Sequence, residues 1–268
     1  MSQYKIEGST GQHLGDRDEQ QDRVALFGSP KAPGYMMAVL ADGMGGMKGG
    51  ALAAEQVIRT ARQAFEAFSP QADDIGAMLR AIVADAHTVI KLTAVTSEKN
   101  PHSTAVILVL TPDRRAYWTH VGDSRLYRFS GPNFAEHTPD HSYVAKLVAE
   151  GKLSEEAAHS HPLANVLVNI LGSHEHEPEA SVASHDGLKA GDAFLLCSDG
   201  LWRYFSGMEL GVAVAVNSPR HAAEMLIRKA RERAVGTEAD NCTLAIVKLV
   251  PVEVSEKTYS ANQMKRAV

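Results

Sequence analysis

Apolar residues at Ala51, Ala54, Ile58, Ala61, Phe65 and Phe68 recur at steps of three and four, which places them on one face of a helix opened by Gly49-Gly50 and followed by Pro70. Ile75, Leu79, Ile82, Ala86 and Val89 or Ile90 repeat the pattern, with Asp73 or Asp74 as N-cap and Pro101 beyond the end. A third helix, from about 220 to 234, carries Ala223, Leu226, Ile227 and Ala230 on its apolar face after Ser218-Pro219 supplies a cap and a first-turn proline. Short runs rich in β-branched and aromatic residues, bounded by turn residues, predict strands at 23–27, 35–41, 104–110, 116–121, 125–129, 192–197 and 243–249. Thr111-Pro112-Asp113 reads as a hairpin turn. Runs of strands alternating with blocks of helices, instead of strict strand-helix-strand order, predict an α+β sandwich of antiparallel sheets. Neither a linker nor an internal repeat interrupts the pattern. Residues 1–252 therefore read as a single domain, and the polar, unpatterned segment 253–268 as a flexible tail.

Composition narrows the class. With 268 residues, 44% apolar and 22% charged, the chain has ordinary globular usage and enough length for a sizeable core. Lys plus Arg number 27 against 32 Asp plus Glu, a net charge of −5, so a nucleic-acid backbone is repelled on average and no nucleic-acid partner is expected. No run approaches the ~18 apolar residues of a membrane span, and the N-terminus lacks a signal-peptide core, so the expectation is a cytoplasmic monomer with no membrane partner. Cys197 and Cys242 lie within apolar runs and read as reduced core thiols.

The aspartates punctuate the strands. Asp42 ends the run from Met36 to Ala41 and precedes Gly43; Asp199 follows Phe194-Leu195-Leu196-Cys197-Ser198 and precedes Gly200. Asp240 comes just before the strand at Cys242, Asp123 just after the one ending at Val121, and Asp22 just before Arg23. One strand-end aspartate is ordinarily a turn or cap residue. Several that face the same edge of a sandwich repel one another unless they are protonated or share cations. Oxygen-only donors favour magnesium or manganese over zinc, and two such ions suit hydrolysis of a phosphate ester by a metal-activated water. Arg17, five residues before Asp22, offers a planar fork for phosphate oxygens, although an arginine beside acids also serves as a surface ion pair.

Six segments in order carry a resemblance: Gly15-Asp16-Arg17-Asp18-Glu19-Gln20-Gln21-Asp22, Leu40-Ala41-Asp42-Gly43-Met44-Gly45-Gly46, His120-Val121-Gly122-Asp123-Ser124-Arg125, Thr138-Pro139-Asp140-His141-Ser142, Cys197-Ser198-Asp199-Gly200-Leu201-Trp202 and Asp240-Asn241-Cys242-Thr243. Over residues 8–250 the chain resembles the bacterial metal-dependent Ser/Thr protein phosphatases, the PPM or type 2C family. The resemblance implies an αββα sandwich and two Mn2+ or Mg2+ ions, with a third possible. By matching position Asp42 bridges the two ions, Asp22, Asp199 and Asp240 complete their shells, Gly43 gives its carbonyl, and Arg17 holds the phosphate. Asp123 with Asp199 matches the ligands of the third ion. Segment 144–178 corresponds to a flap beside the active site. The implied partners are phosphorylated proteins, substrates of a cognate Ser/Thr kinase. The alternative is a catalytically weak, phosphatase-like regulatory domain that binds a kinase or phosphoprotein.

Three positions depart from the family pattern. Gln21 stands where many members have Glu; Met44 stands where eukaryotic members carry a His regarded as general acid, leaving that role unassigned; and Asn169 stands where bacterial relatives usually show Arg. His159-Ser160-His161 and His174-Glu175-His176 resemble zinc-binding pairs, but no second pair at defined spacing completes a tetrahedral set, and a solvated flap is expected there.

Overall fold

The structure is a computed structural model and describes residues 4–45, 49–97, 100–236 and 238–252. The expected tail 253–268 lies outside the described residues. In chain order the elements are β1 (Tyr4–His13), β2 (Arg23–Gly28), β3 (Met36–Ala41), β4 (Gly43–Met44), α1 (Gly49–Ala67), α2 (Ile75–Ser97), β5 (His102–Ser103), β6 (Ala105–Leu110), β7 (Arg115–Val121), β8 (Arg125–Ser130) and β9 (Asn133–His137), then α3 (Tyr143–Ala149), α4 (Glu155–His159), β10 (Val182–Asp186), β11 (Asp192–Cys197), α5 (Asp199–Trp202), α6 (Gly207–Val216), α7 (Pro219–Arg233) and β12 (Cys242–Pro251). Two five-stranded sheets form, ordered β1-β12-β11-β8-β9 and β10-β7-β6-β3-β2, with β4 and β5 as a separate short pair. Every strand pairing is antiparallel.

The period-two alternation of a strand explains the layers. In β3, Met37, Val39 and Ala41 point away from the sandwich and pack on Ala54, Val57, Ala61 and Phe65 of α1 and on Leu79, Ile82 and Ile90 of α2. Its intervening residues Ala38 and Leu40 point inward and meet Phe194 and Leu196 of β11 and Ala245 and Val247 of β12. On the far side Leu195, Leu244 and Ile246 pack on Leu201, Leu210, Ala222 and Leu226 of α5, α6 and α7. The result is helix, sheet, sheet, helix. Central strands are apolar on both faces because both faces are covered, and for that reason they read as continuous apolar runs.

Helix ends follow the expected chemistry. Asp74 Oδ1 accepts from the Ala77 amide at 2.7 Å, and Ser218 Oγ accepts from that of His221 at 3.3 Å. The hairpin between β6 and β7 closes through Thr111, with Arg114 in the left-handed region at φ 69.

Several elements were not visible in the hydrophobic pattern. β1, β9 and β10 are outer strands of their sheets, as is the predicted β2, and β9 is exposed along its whole length, so none needs two apolar faces. Helix α6 is rich in valine and glycine, which are poor helix formers, and its signal is instead the reciprocal capping box of Ser206 and Glu209. Its other end is closed by Lys248 from β12, whose ammonium donates to the carbonyls of Val214, Ala215 and Asn217 at 2.9, 2.7 and 2.9 Å.

The inter-sheet layer sets the stability of the sandwich. Leu40→Ala is expected to cost about 2–5 kcal/mol in urea denaturation, whereas Val212→Ala, on the exposed face of α6, is expected to stay within about 0.5 kcal/mol of the parent.

Candidate active site

Strand registers bring the aspartates to one end of the sandwich. Arg23 pairs with Ala41, so Asp22 and Asp42 flank the same end of the β2/β3 ladder. Ala105 pairs with Val121, which puts Asp123 at that end too. In the other sheet Cys197 pairs with Leu244, so Asp199 leaves β11 where Asp240 and Asn241 lead into β12. Asp22 is 1% exposed, and Asp42, Asp123, Asp199 and Asp240 are half-buried.

Backbone and small side chains fix these positions. The Asp42 amide donates to Thr104 Oγ1 at 2.9 Å, and its carbonyl accepts from the Thr104 amide at 2.8 Å and from Ser103 Oγ at 3.2 Å. A Cβ on Gly43 would lie 2.0 Å from the carbonyl oxygen of Gly50, so only glycine lets β4 pass the first turn of α1. Gly200 meets the same constraint, with a Cβ 2.1 Å from the Asn241 carbonyl oxygen. Ser198 Oγ donates to Asp22 Oδ2 at 2.8 Å and accepts from the Thr243 amide at 3.0 Å, tying the two sheets together beneath the cluster. Asn241 accepts from the Gln21 amide and donates to the Leu14 carbonyl, both at 2.7 Å. Trp202 Nε1 donates to the Asp123 carbonyl at 2.9 Å.

The carboxylates feel one another. Burial, then the charges of Asp22, Asp199, Asp123 and Asp240, hold Asp42 well above the usual carboxylate range. Burial raises Asp22 to about 7, against hydrogen bonds from Thr243 and Ser198 and with the help of Asp199 and Asp240. Asp123 also rises to about 7 through burial, Asp199 and Asp140, while Arg203 opposes the shift. Asp199 is raised by burial, with Arg203 as the chief opposing charge.

Two guanidiniums reach the cluster. Arg17 lies in a bidentate pair with Asp240, Nε to Oδ1 at 3.0 Å and Nη2 to Oδ2 at 2.9 Å. The fork expected for phosphate is therefore closed on an aspartate expected for metal, as the attraction between a carboxylate and the nearest guanidinium dictates in a cluster of acids. Arg203, which the sequence pattern did not single out, sits 2.7 Å from Asp199 Oδ2; its only signal was the i, i+4 spacing. Ser198, Thr104 and Asn241 were likewise missed as supports, because hydroxyls and amides next to a motif carry no signal of their own.

The departures have structural counterparts. Asn169 Nδ2 donates to His141 Nδ1 and to the Glu179 carbonyl, both at 2.9 Å, while Oδ1 accepts from the Glu179 amide at 3.1 Å. His141 Nδ1 also accepts from the Gly122 amide at 3.3 Å, and its ring stacks on His120 with centroids 4.3 Å apart. Burial lowers its pKa to about 4, so it works as a neutral acceptor. Asn169 thus joins the 160–180 segment to the loop that carries Asp123. Met44 pairs across to His102 in the β4/β5 ladder. A cavity of about 660 Å3 opens beside Asp123, under α3 and α4, with Trp202 and Arg203 in its wall. Cys197 and Cys242 are buried, and burial raises both thiols, Cys242 to about 12.

The donor set suits hydrated hard cations. Among the described residues no three His, Cys, Asp or Glu side chains close around one point. Magnesium, and manganese like it, keeps several waters and is held by one or two carboxylates, which the spread of these aspartates permits. Among the described residues no group donates to the Asp42 carboxylate, although its surroundings disfavour a bare charge. Carboxylates raised by mutual repulsion are the arrangement that a divalent ion relieves.

Known proteins agree with this geometry. A family model described as protein phosphatase 2C matches residues 11–230. The serine/threonine protein phosphatase PstP of Mycobacterium tuberculosis is 29% identical over 223 residues, covering 83% of this chain and 42% of PstP, so the chain spans about two-fifths of that relative's length. Protein phosphatase PhpP of Streptococcus pneumoniae is 29% identical over 239 residues, 87% of this chain and 93% of PhpP. The solved serine/threonine phosphatase of S. agalactiae superposes with a TM-score of 0.82 at 26% identity, covering 91% of this chain and 99% of that one. The catalytic domain of PstP in complex with 2 manganese ions gives a TM-score of 0.76 at 25% identity, covering 91% of this chain and 98% of that one. The αββα sandwich, its acidic end and a family match over most of the sequence together make the chain a member of the protein phosphatase 2C family.

Proposed function

We propose that this chain is a metal-dependent protein serine/threonine phosphatase that hydrolyses phosphoserine and phosphothreonine esters. The observation that carries the reading is the convergence of Asp22, Asp42, Asp199 and Asp240 from both sheets on one end of the sandwich, each acting on its neighbours' charge. Two Mn2+ or Mg2+ ions, when bound, activate water for attack on phosphorus and neutralise the phosphoryl oxygens. Asp42, whose carboxylate has no hydrogen-bond donor among the described residues, would hold metal there. Asp22, Asp199 and Asp240 hold them from the sides, and the Gly43 carbonyl adds a neutral donor. Asp123 and Asp199 border a third cation position.

Arg17 takes the phosphoryl group. Its planar fork, which pairs with Asp240, would match two phosphoryl oxygens were Asp240 to hold metal. The 144–178 segment acts as the flap that borders the site. The substrates are phosphorylated proteins made by a Ser/Thr kinase in the cytoplasm, and the chain acts as a monomer. The cysteines take no part, since burial keeps both thiols protonated. A binding-only role is disfavoured because each aspartate that would be lost in such a domain is present. Among the described residues no helix is long and apolar enough to cross a membrane.

Dephosphorylation of a phosphothreonine peptide is expected to stop after exhaustive chelation and to return with Mn2+ or Mg2+; full activity of a preparation shown by metal analysis to hold no ion would retire the reading. Asp42→Asn and Asp199→Asn are expected to lower activity by orders of magnitude with the far-UV circular dichroism unchanged.

Arg17→Ala is expected to reduce kcat/KM roughly 30- to 1000-fold with little change in Mn2+ affinity, and Lys at this position to restore only part, since an ammonium lacks the planar fork. Inhibition by inorganic phosphate as strong as in the parent would leave Arg17 as an ion pair alone.

The raised carboxylates also fix the sign of a pH effect. Asp22 and Asp123 have folded values of about 7 against an ordinary 3.8, so the metal-free fold binds protons that the unfolded chain has released. Their contribution to stability is full below the unfolded value and is lost as pH rises through the folded one. The melting temperature of chelated protein is expected to fall from about pH 5 to about pH 7.5, and added Mn2+ to raise it more at the higher pH, where protons no longer compete.

A further inference from the structure

Arg203 is built into the acidic end instead of lying loose on its surface. It follows α5 directly, and the helical step of four residues returns its guanidinium to Asp199, Nη2 to Oδ2 at 2.7 Å. The same nitrogen donates a hydrogen bond to Asn165 Oδ1, also at 2.7 Å, on the segment between α4 and β10. The guanidinium carbon lies 5.6 Å from the ring centroid of Trp202, and that ring is itself fixed by its bond to the Asp123 carbonyl and by Arg125, 3.5 Å from its centroid. Arg125 is anchored in turn by a bidentate pair with Asp140 at 2.7 and 2.8 Å. Asp123 and Arg203 share the wall of the 660 Å3 cavity, and the charge of Arg203 acts on both Asp123 and Asp199.

A divalent ion between Asp199 and Asp123 would have to displace this guanidinium from Asp199. It would also have to hold its place beside the positive charge of Arg203, which repels a second cation close by. A guanidinium tethered to the chain needs no dehydration of a hexahydrate and loses no translational freedom, and it pairs with Asp199 by charge while donating to Asn165.

We propose that Arg203 fills the cation position between Asp199 and Asp123, so that this chain loads two metal ions and not three, and that the same guanidinium holds the flap at Asn165. The proposal rests on the metal-centre reading above. Arg203 acts as a positioning residue: it touches neither the phosphoryl group nor the attacking water.

The test counts ions and follows the flap without turnover. Mn2+ bound to the full chain is measured by titration with electron paramagnetic resonance of the free ion, for the parent, Arg203→Ala and Arg203→Lys; hydrogen exchange is read across residues 160–170. The parent is expected to saturate at two ions, Arg203→Ala to admit a third, weaker ion, and Arg203→Lys to stay at two because its ammonium still fills the position. Exchange across 160–170 is expected to rise about tenfold in Arg203→Ala, the change that follows from losing one charge-assisted bond. A third ion in the parent with an affinity that Arg203→Ala leaves unchanged, or two ions in both, overturns the assignment of Arg203. No bound ion in either protein overturns the metal-centre reading and the proposal with it.

Discussion

Like charges held together against their repulsion are the constraint on which this molecule turns. Burial raises the proton affinity of Asp22, Asp42, Asp123 and Asp199, and the charges of neighbouring aspartates add to the effect. Flexible loops would relieve the strain by swinging the carboxylates into water. These aspartates sit one or two residues from the ends of packed strands, and two are pinned: Asp42 by Thr104 on both amide and carbonyl, Asp22 by Gln20 on its amide and by the Ser198 hydroxyl on its carboxylate. The stiffness of two packed sheets therefore keeps the acids at a separation where a divalent cation gains and a proton is the default substitute.

How much of this was legible in the chain depends on what each part needed from its side chains. Strands β3, β6, β11 and β12 are covered on both sides, so their apolar runs announced them, and Asp42 and Asp199 were legible because they break those runs with a charge and a glycine. The outer strand β1 needs only one partner and one buried face, and its sequence of Lys, Glu, Ser, Gln and His among small residues hides it. Gly43 and Gly200 could be noticed in sequence, but the reason for them, a backbone approach near 2 Å from Gly50 and Asn241, exists only in three dimensions. The pairing of Arg17 with Asp240 joins residues more than 200 positions apart and leaves no trace in either local pattern.

Asn169 illustrates how a departure from a family pattern becomes a different solution. An arginine there would bring a charge to the segment above the cluster. The amide instead makes three neutral hydrogen bonds, and one of them needs His141 to stay unprotonated, which burial ensures. The segment is thereby fastened to the loop of Gly122 and Asp123 without adding a charge to a region where charge is already in excess.

Charge balance connects these points to catalysis. Five aspartates face two arginines at the acidic end, and in the metal-free protein each arginine is paired with one of them. Asp199 and Asp240 are both among the carboxylates proposed to hold metal, and an ion on Asp240 would leave Arg17 without that partner. The arginine released in this way is the one beside the place where a dianionic phosphoryl group must enter. The two arginines differ in their second partners: Arg203 has Asn165 at 2.7 Å, whereas the other neighbour of Arg17 is the exposed Glu238 at 3.5 Å.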